Sequence, residues 1–296
     1  MQNYQIVTDA TCDMDVEMLN RYHISVIPME ILLNDGRSFL HYPDFRNFSA
    51  HDFYAEQKRG NYSVSSQITP QGYFDFFTPI LESGRDILYV CFSSGLSGSY
   101  QSAMLARAEL LKRFPERKLV VIDSLCACTG EGLLAVQGGV NQCEQGMSLE
   151  ENANWLEANK LRISHFFTVS DLFLLHKGGR IGAATAAFGT ALNIQPMLMV
   201  DSAGKLAVNG KVRGRKAAIR RLVEMTQQTI QRPQEQTLYI GHADCLEDAL
   251  HLKETVEKQI PCKAVYISRI GPVIGTHTGA SQLCLFSFGA GRNVGK

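Results

Sequence analysis

The feature that most constrains the fold is a short apolar run that ends in a serine- and glycine-rich turn and continues as a helical pattern. The run covers residues 87–91, the turn covers residues 92–100, and the helical pattern covers residues 101–114. Apolar runs and helical patterns alternate in the same way from residue 4 to about residue 145. Since a strand followed by a crossover helix returns as a parallel strand, this alternation predicts a mainly parallel sheet with helices on both faces.

The hydroxyl-rich turn predicts a binding site for an anion. A helix that begins here points unpaired backbone N–H groups and the positive end of its dipole towards the turn. Four side chains add hydroxyl donors, namely Ser93, Ser94, Ser97 and Ser99. Helix capping explains the same residues, because serine is a preferred N-cap and glycine is common in tight turns. Both interpretations stay open from this segment alone.

A nucleophilic serine is a weaker interpretation of the turn. The G-x-S-x-G arrangement of a serine hydrolase needs a glycine two residues after the serine. Here Gly98 follows Ser97 directly, and Ser99 stands where that glycine is required. We therefore interpret the serines as donors to a bound group and not as an activated nucleophile.

The charge balance and the apolar runs exclude several kinds of partner. Lys and Arg together number 29, as do Asp and Glu, which leaves no positive field to attract nucleic acid. No uninterrupted apolar run approaches the roughly 20 residues that span a bilayer, and the start of the chain does not resemble a secretion signal. We therefore expect a cytoplasmic protein with no nucleic-acid partner and no stable membrane insertion.

The sequence predicts neither a metal site nor a nucleotide site. All eight cysteines are scattered, and no C-x-x-C pair occurs. A G-x-x-x-x-G-K-[ST] phosphate loop is also missing, and the acidic residues show no spacing typical of a metal clamp. We therefore expect no metal, no cofactor and no complete kinase active site.

The alternation of strands and helices stops in the second half of the chain. An alanine-rich helix is predicted at residues 183–192. Two strand-like runs follow, residues 197–201 and 205–211, and a short glycine-containing turn joins them as an antiparallel hairpin. The sequence therefore predicts a first α/β domain at residues 1–160 and a second, α+β domain at residues 161–296.

Seven short segments, in this order along the chain, resemble the motifs of the DegV family of bacterial lipid-binding proteins. They read T-D-A-T-C-D at 8–13, S-S-Q at 65–67, S-S-G-L-S-G-S-Y-Q-S-A at 93–103, K-G-G-R-I at 177–181, G-K-V-R-G-R-K at 210–216, H-A-D at 242–244 and I-G-P-V-I-G-T-H-T-G at 270–279. The resemblance implies an N-terminal three-layer α/β/α domain with a mainly parallel sheet and a C-terminal two-layer α/β domain with a mixed sheet. It also implies a fatty acid buried in a tunnel, with its carboxylate at the domain junction.

The resemblance assigns the carboxylate ligands. In the family they are hydroxyls of the T-S-Q segment and of the serine turn, which match Ser65 and Ser97, with Ser94 as a helper. Ser65 stands where the family usually has Thr, so a hydroxyl donor is kept. Two hydroxyls and the amides of a helix N-terminus can hold a buried carboxylate by charge-assisted hydrogen bonds. Without the resemblance, Ser65 is interpreted as a cap before Pro70.

The resemblance also associates Arg213 and His277 with a partner protein. In the family, the matching residues help to hand the acyl carboxylate to a separate kinase. His277 lies in a predicted turn at residues 275–279, where glycines let the backbone approach a ligand closely. Arg213 lies in a basic stretch at residues 211–216, and cations at a helix start oppose its dipole unless an anion or an acidic surface compensates them. A histidine bonded to nearby backbone and a solvated helix start are the ordinary alternatives.

Small and flexible apolar side chains are candidates for the tunnel wall. They are Ala183, Ala184, Ala186, Ala187, Gly189, Ile194, Met197, Met199, Phe286 and Phe288. Methionine and aromatic side chains suit an acyl chain because they offer adaptable apolar surface. Close packing of a helix on a sheet explains the alanines equally well.

The sequence thus predicts a carrier that is not itself an enzyme. It would bind a long-chain fatty acid in a buried tunnel and present the carboxylate to a separate ATP-dependent fatty acid kinase, which forms the acyl phosphate. Alternatives from other classes are an independent phosphotransferase that uses the basic stretch, a hydrolase that uses Ser97 with His277, and a lipid sensor without a kinase partner.

Overall fold

The chain folds around three β-sheets with helices packed against them. The structure is a computed structural model and describes residues 3–170, 172–183 and 193–292. Within those ranges, no helix is long and apolar enough to cross a membrane. The predicted α/β fold class is confirmed, since a parallel sheet covered by helices is followed by a mixed sheet.

The parallel sheet has four strands. In spatial order they are β2 (Ser25–Ile27), β1 (Tyr4–Asp9), β6 (Asp86–Cys91) and β7 (Leu119–Asp123). The helices of this part are α1 (Val16–Arg21), α3 (Pro70–Glu82), α4 (Ser99–Arg113), α5 (Thr129–Cys143) and α6 (Leu149–Asn159). Strand β6 is buried at every residue after Asp86, because helices cover both faces, and for that reason it reads as a continuous apolar run.

A small antiparallel sheet, which the sequence analysis did not predict, lies beside the parallel one. Its strands, in spatial order, are β4 (Ser38–His41), β3 (Met29–Leu33) and β5 (Ser63–Ser65), and helix α2 (Ala50–Lys58) comes between β4 and β5 in the chain. In β3, Met29, Ile31 and Leu33 are buried while the residues between them are exposed. This sheet determines where Ser65, the last residue of β5, is placed.

The mixed sheet has six strands. In spatial order they are β10 (Leu206–Arg213), β9 (Ile194–Val200), β8 (Ile163–Thr168), β13 (Leu283–Phe288), β11 (Thr237–His242) and β12 (Ala264–Arg269). Only β11 and β12 pair in parallel. The predicted hairpin is confirmed as the antiparallel pair β9 and β10, with a register shift between Val208 and Lys211.

The helices of this half are α7 (Phe173–Lys177), α8 (Arg215–Thr229), α9 (Leu246–Gln259) and α10 (Pro272–Thr278), and short 3-10 turns lie at Lys160–Arg162 and Pro233–Glu235. Helices α8 and α9 pack against the mixed sheet. The strands of the parallel sheet end by Asp123 and those of the mixed sheet begin at Ile163. The division into domains at residues 160 and 161 stays a prediction.

The two faces of the mixed sheet bury different side chains. Phe167, Cys284 and Phe286 belong to the core that the parallel sheet also contributes to. Phe166 and Leu285 belong to a second core beneath α8 and α9. This alternation follows from the two-residue period of a strand. It leaves an apolar surface on the α5 side of the sheet, and the cavity described next lies there.

Candidate functional site

A cavity of about 410 Å³ lies against the α5 side of the mixed sheet. Its volume falls in the range of ordinary small-molecule sites. The apolar part of its wall is made of side chains from several elements, among them Met29, Phe92, Phe167, Leu175, Val273, Ile274 and Phe286. The polar part includes Ser65, Gln67, Ser97, Arg180 and His277. Because Gln67 is exposed whereas Phe286 is 2% exposed, the cavity extends from the surface into the core.

Two of the predicted site residues meet at the polar part. Ser65 Oγ at the end of β5 lies 2.9 Å from His277 Nε2 on α10. Burial and, to a smaller extent, the nearby positive charge of Arg180 lower the pKa of His277 to about 4. The imidazole is therefore neutral at pH 7, and its Nε2 either donates to Ser65 or accepts from it.

The structure corrects the expected turn around His277. Residues Pro272–Thr278 form helix α10, and the chain leaves it at Gly279, where φ is +80°. Proline at the first helical turn and glycine just after the last one are ordinary start and stop signals. The helix also explains the orientation of His277, which faces Gly178, since a Cβ on Gly178 would lie only 2.4 Å from His277 Nδ1.

The serine turn supplies both a hydrogen bond at the start of a helix and part of the cavity wall. Ser97 lines the cavity, and its Oγ also accepts the backbone N–H of Ser99 at 3.2 Å, at the start of α4. Ser93 instead donates its hydroxyl to the carbonyl of Gly204 at 2.8 Å. The turn between β9 and β10 is thereby held against the serine turn. A Cβ on Gly95 would lie 2.7 Å from the carbonyl oxygen of Ala203, so this contact requires glycine.

Two further predicted residues lie away from the cavity. Ser94 is not among the lining residues, and its backbone N–H donates to Asp123 Oδ1 at 3.0 Å. Arg213 is exposed at the end of β10 and pairs in register with Ile194. The structure therefore brings Ser65, Ser97 and His277 to one cavity but not Ser94 or Arg213. The roles that the resemblance gives to these five residues stay predictions.

Arg180 is a site residue to which the sequence analysis assigned no role. Its Nε donates to the carbonyl of Leu96 at 3.3 Å, and its Nη1 donates to the carbonyl of Gly178. Burial alone lowers its pKa, and no carboxylate of the described residues acts on it. As far as the described residues go, the cavity therefore contains a half-buried positive charge without a counter-charge. The K-G-G-R-I segment is the sequence signal that could have identified Arg180. Its two glycines, which precede the arginine, let the backbone come close to His277.

The predicted apolar wall is only partly correct. Phe286 lines the cavity. Met197 and Met199 face the second core instead, and Phe288 packs edge-on against Trp155 at 6.2 Å between ring centroids. The prediction for the methionines is wrong by one residue of strand register, since the next residue, Val200, does line the cavity. Ala183 and Ile194 are not among the lining residues. The rest of the predicted alanine-rich helix at residues 183–192 lies outside the described residues.

The fold and the cavity define an α/β protein with a cavity that offers hydroxyls, an imidazole and a guanidinium beside an apolar wall. The chain belongs to the DegV family. A family model described as "Uncharacterised protein, DegV family" matches residues 3–289. A DegV domain-containing protein of Clostridium perfringens is 36% identical over 289 residues, which cover 98% of each chain.

Two solved structures share the whole fold. A DegV lipid binding protein of Thermotoga maritima is 28% identical, with a TM-score of 0.83 over 99% of this chain and 100% of that one. A DegV family protein of Thermus thermophilus, described as binding fatty acid, is 26% identical, with a TM-score of 0.86 over 97% of this chain and 100% of that one. Lipid binding is thus described for two DegV proteins of this fold.

Proposed function

We propose that this protein binds a long-chain fatty acid in the cavity, with the carboxylate among Ser65, Ser97, His277 and Arg180. The single observation that carries the proposal is the guanidinium of Arg180, which has no counter-charge among the described residues and lines the same mostly apolar cavity as the hydroxyls of Ser65 and Ser97. A carboxylate supplies the missing negative charge, and an acyl chain suits the apolar wall. The fatty acid binding described for a DegV protein of the same fold supports the same ligand.

The polar groups can donate hydrogen bonds to a carboxylate without any change in their own protonation states. Neutral His277 can donate its Nε2–H to Ser65 Oγ, which leaves the Ser65 hydroxyl hydrogen free for the ligand. Ser97 adds a second hydroxyl, and Arg180 adds a charge-assisted bond, which is the stronger kind. Because a buried carboxylate needs several such donors, these groups together give the head group a specific place.

The apolar wall supplies the affinity for a long chain. Each methylene removed from water contributes about 0.8 kcal/mol, before the costs of association and ordering are subtracted. Phe92, Phe167 and Phe286 offer large apolar surfaces, and all three line the cavity. A short-chain acid would satisfy the polar groups but would bury few methylenes. We therefore expect affinity to rise with chain length until the cavity is filled.

The proposal also includes a partner protein. The protein presents the carboxylate to a separate ATP-dependent kinase, in which a carboxylate oxygen attacks the γ-phosphorus, the bond to ADP breaks, and an acyl phosphate forms. The absence of a phosphate loop from the sequence supports a separate enzyme. Exposed Gln67 at the cavity and exposed Arg213 on β10 are groups that a partner can reach.

Native mass spectrometry tests the proposal. The purified protein is compared with a denatured sample, and the mass difference is expected to equal that of one long-chain fatty acid. A ligand-free protein that hydrolyses esters or transfers phosphate by itself would support an independent enzyme instead. Addition of a fatty acid kinase and ATP then separates a carrier, which yields acyl phosphate, from a lipid sensor, which does not.

A further inference from the structure

Two buried carboxyl groups contact one hydroxyl in a segment that the proposed function does not use. Asp9 at the end of β1 and Glu131 in α5 are both 0% exposed. Thr11 lies between them: its Oγ1 is 2.6 Å from Glu131 Oε2 and is also hydrogen-bonded to Asp9 Oδ1. Both contacts involve the T-D-A-T-C-D segment that the sequence analysis singled out.

This geometry needs a proton on one of the carboxyl groups. The Thr11 hydroxyl has one hydrogen and can donate it to one acceptor only. If both carboxyls were ionised, the second contact would place two oxygens with lone pairs within hydrogen-bond distance and no hydrogen between them. One carboxyl must therefore be a neutral acid that donates its own proton to Thr11 Oγ1.

The surroundings assign that proton to Glu131. Asp9 accepts backbone N–H groups from Thr11 at 3.0 Å and Phe92 at 3.3 Å, and the hydroxyl of Tyr89 at 2.8 Å. Burial raises the pKa of Asp9, but these donors oppose that rise and stabilise the charged form. Glu131 is bonded to hydroxyls, with Thr8 donating to its Oε1 at 2.8 Å. Burial and then the charge of Asp9 raise the pKa of Glu131 well above its usual range.

The first turn of α5 acts in the opposite direction but is too weak to decide the charge. A helix N-terminus favours a carboxylate only modestly, even where it is partly buried. Burial of a carboxylate that has no positive partner costs considerably more. Glu131 therefore stays neutral and Asp9 takes the charge. The order of donation is Glu131 to Thr11 and Thr11 to Asp9.

Two residues, Phe92 and Thr11, connect the two carboxyl groups to the cavity. Phe92, whose N–H donates to Asp9, begins the serine turn and lines the cavity, and Thr11 lines it too. Asp9 and Glu131 are not among the lining residues, so they act through these two neighbours. Ionisation of Glu131 would put a second negative charge beside Asp9 and break the contact with Thr11, which displaces that part of the wall.

We propose that Glu131, Thr11 and Asp9 form a relay with one retained proton that positions Phe92 and the serine turn, so that fatty-acid binding requires the proton on Glu131. The inference rests on the proposed function. Among the described residues, the other titratable groups coupled to Asp9 or Glu131 are acids, thiols and phenols, so a rise in pH can add only negative charge there. They are Asp13, Cys12, Cys91, Cys126, Tyr73 and Tyr89.

Calorimetric titration with palmitate from pH 7 to pH 10 tests the relay. For the unmodified protein, each pH unit above the pKa of Glu131 should raise the Kd about tenfold, because only the protonated form binds. Glu131→Gln keeps the hydrogen bond to Thr11 through its amide and does not titrate, so its Kd should stay constant over the range. The control Glu116→Gln, at an exposed glutamate, should show the same change of Kd with pH as the unmodified protein. Any effect of pH on palmitate itself is the same for all three proteins.

Infrared spectroscopy gives a second measurement that does not depend on a ligand. The difference spectrum at pH 7 between the unmodified protein and Glu131→Gln should show the carbonyl stretch of a buried protonated carboxylic acid, whereas the difference between the unmodified protein and Glu116→Gln should not. Any contribution of buried Asp13 cancels in both differences. If that band is missing, or if Glu131→Gln follows the same pH profile as the unmodified protein, the relay is wrong. If the unmodified protein binds no palmitate at pH 7, the proposed function fails, and the band still decides whether the retained proton exists.

Discussion

Ser65 Oγ and His277 Nε2 lie 2.9 Å apart although 212 residues separate them in the chain. Strand β5 supplies the serine and helix α10 supplies the histidine. The same two elements are joined again by the contact between Ser63 Oγ and Thr276 Oγ1 at 2.7 Å. The head-group site therefore depends on the docking of the small antiparallel sheet on α10.

Replacement of Ser65 should weaken fatty-acid binding. Ser65→Ala removes a hydroxyl donor to a charged carboxylate, a loss of about 1.5–3 kcal/mol. Ser65→Thr keeps the hydroxyl and should bind palmitate nearly as well as the unmodified protein. Ser66→Ala is the matched control, since the neighbouring Ser66 is exposed and does not line the cavity. Equal palmitate affinities for Ser65→Ala and Ser66→Ala, measured by calorimetry, would contradict the assignment.

Gly178→Ala should disturb the same site from the other side of the imidazole. Its Cβ would lie 2.4 Å from His277 Nδ1, so the ring must move and its bond to Ser65 is lost. Gly182→Ala is a control in the same segment, because no atom lies within 4 Å of its Cβ position. We expect a drop in fatty-acid occupancy by native mass spectrometry for Gly178→Ala alone. The same drop in both variants would mean that the segment, and not His277, is responsible.

Arg180 should discriminate an acid from an uncharged analogue. Arg180→Gln removes the positive charge of the guanidinium. The palmitate affinity should therefore fall about 10-fold to 100-fold, which corresponds to roughly 1.5–3 kcal/mol of binding free energy. Binding of hexadecanol, which has no charge, should change little. Arg59→Gln is the control at an exposed arginine. If Arg180→Gln weakens the alcohol as much as the acid, Arg180 contributes packing and not charge.

The parallel sheet and the serine turn could be predicted because their signals are local. Strand β6 is a buried apolar run, and α4 follows it directly in the sequence. Helix α10 could not be predicted in this way, because its glycine and β-branched threonines disfavour a helix. Tertiary bonds override that preference, since Tyr54 donates to the carbonyl of Ile270 and Gln57 donates to the carbonyl of Gly275.

Local sequence patterns also could not predict which residues come together at the site. The sequence alone does not place Arg180 beside His277, because the two lie on separate segments that meet only after the fold forms. The error at Met197 and Met199 has a different cause. A strand buried on both faces shows no alternation, so the sequence does not indicate which residues face the cavity.

Buried His41 should make the stability sensitive to acid. Burial lowers its pKa to about 4, whereas the unfolded chain binds the proton near pH 6.5. The unfolded state therefore binds more protons between these values, and the free energy of unfolding should fall as the pH decreases from about 6.5 to about 4, by at most about 1.4 kcal/mol per pH unit for this one group. His41→Gln should flatten that slope in urea denaturation, whereas His51→Gln, at an exposed histidine, should not. Identical slopes for the two variants would exclude His41 as the cause.

Arg213 should separate fatty-acid binding from phosphorylation. It is exposed on β10 and does not line the cavity, so Arg213→Ala should retain its fatty acid in native mass spectrometry. The loss of a cation at a partner surface should nevertheless slow acyl phosphate formation by an added fatty acid kinase, because electrostatic complementarity governs the rate of encounter. Arg46→Ala, at another exposed arginine, is expected to leave both properties unchanged. If Arg213→Ala is phosphorylated as fast as Arg46→Ala, Arg213 has no part in the transfer; if it loses its fatty acid, its role lies in the cavity after all.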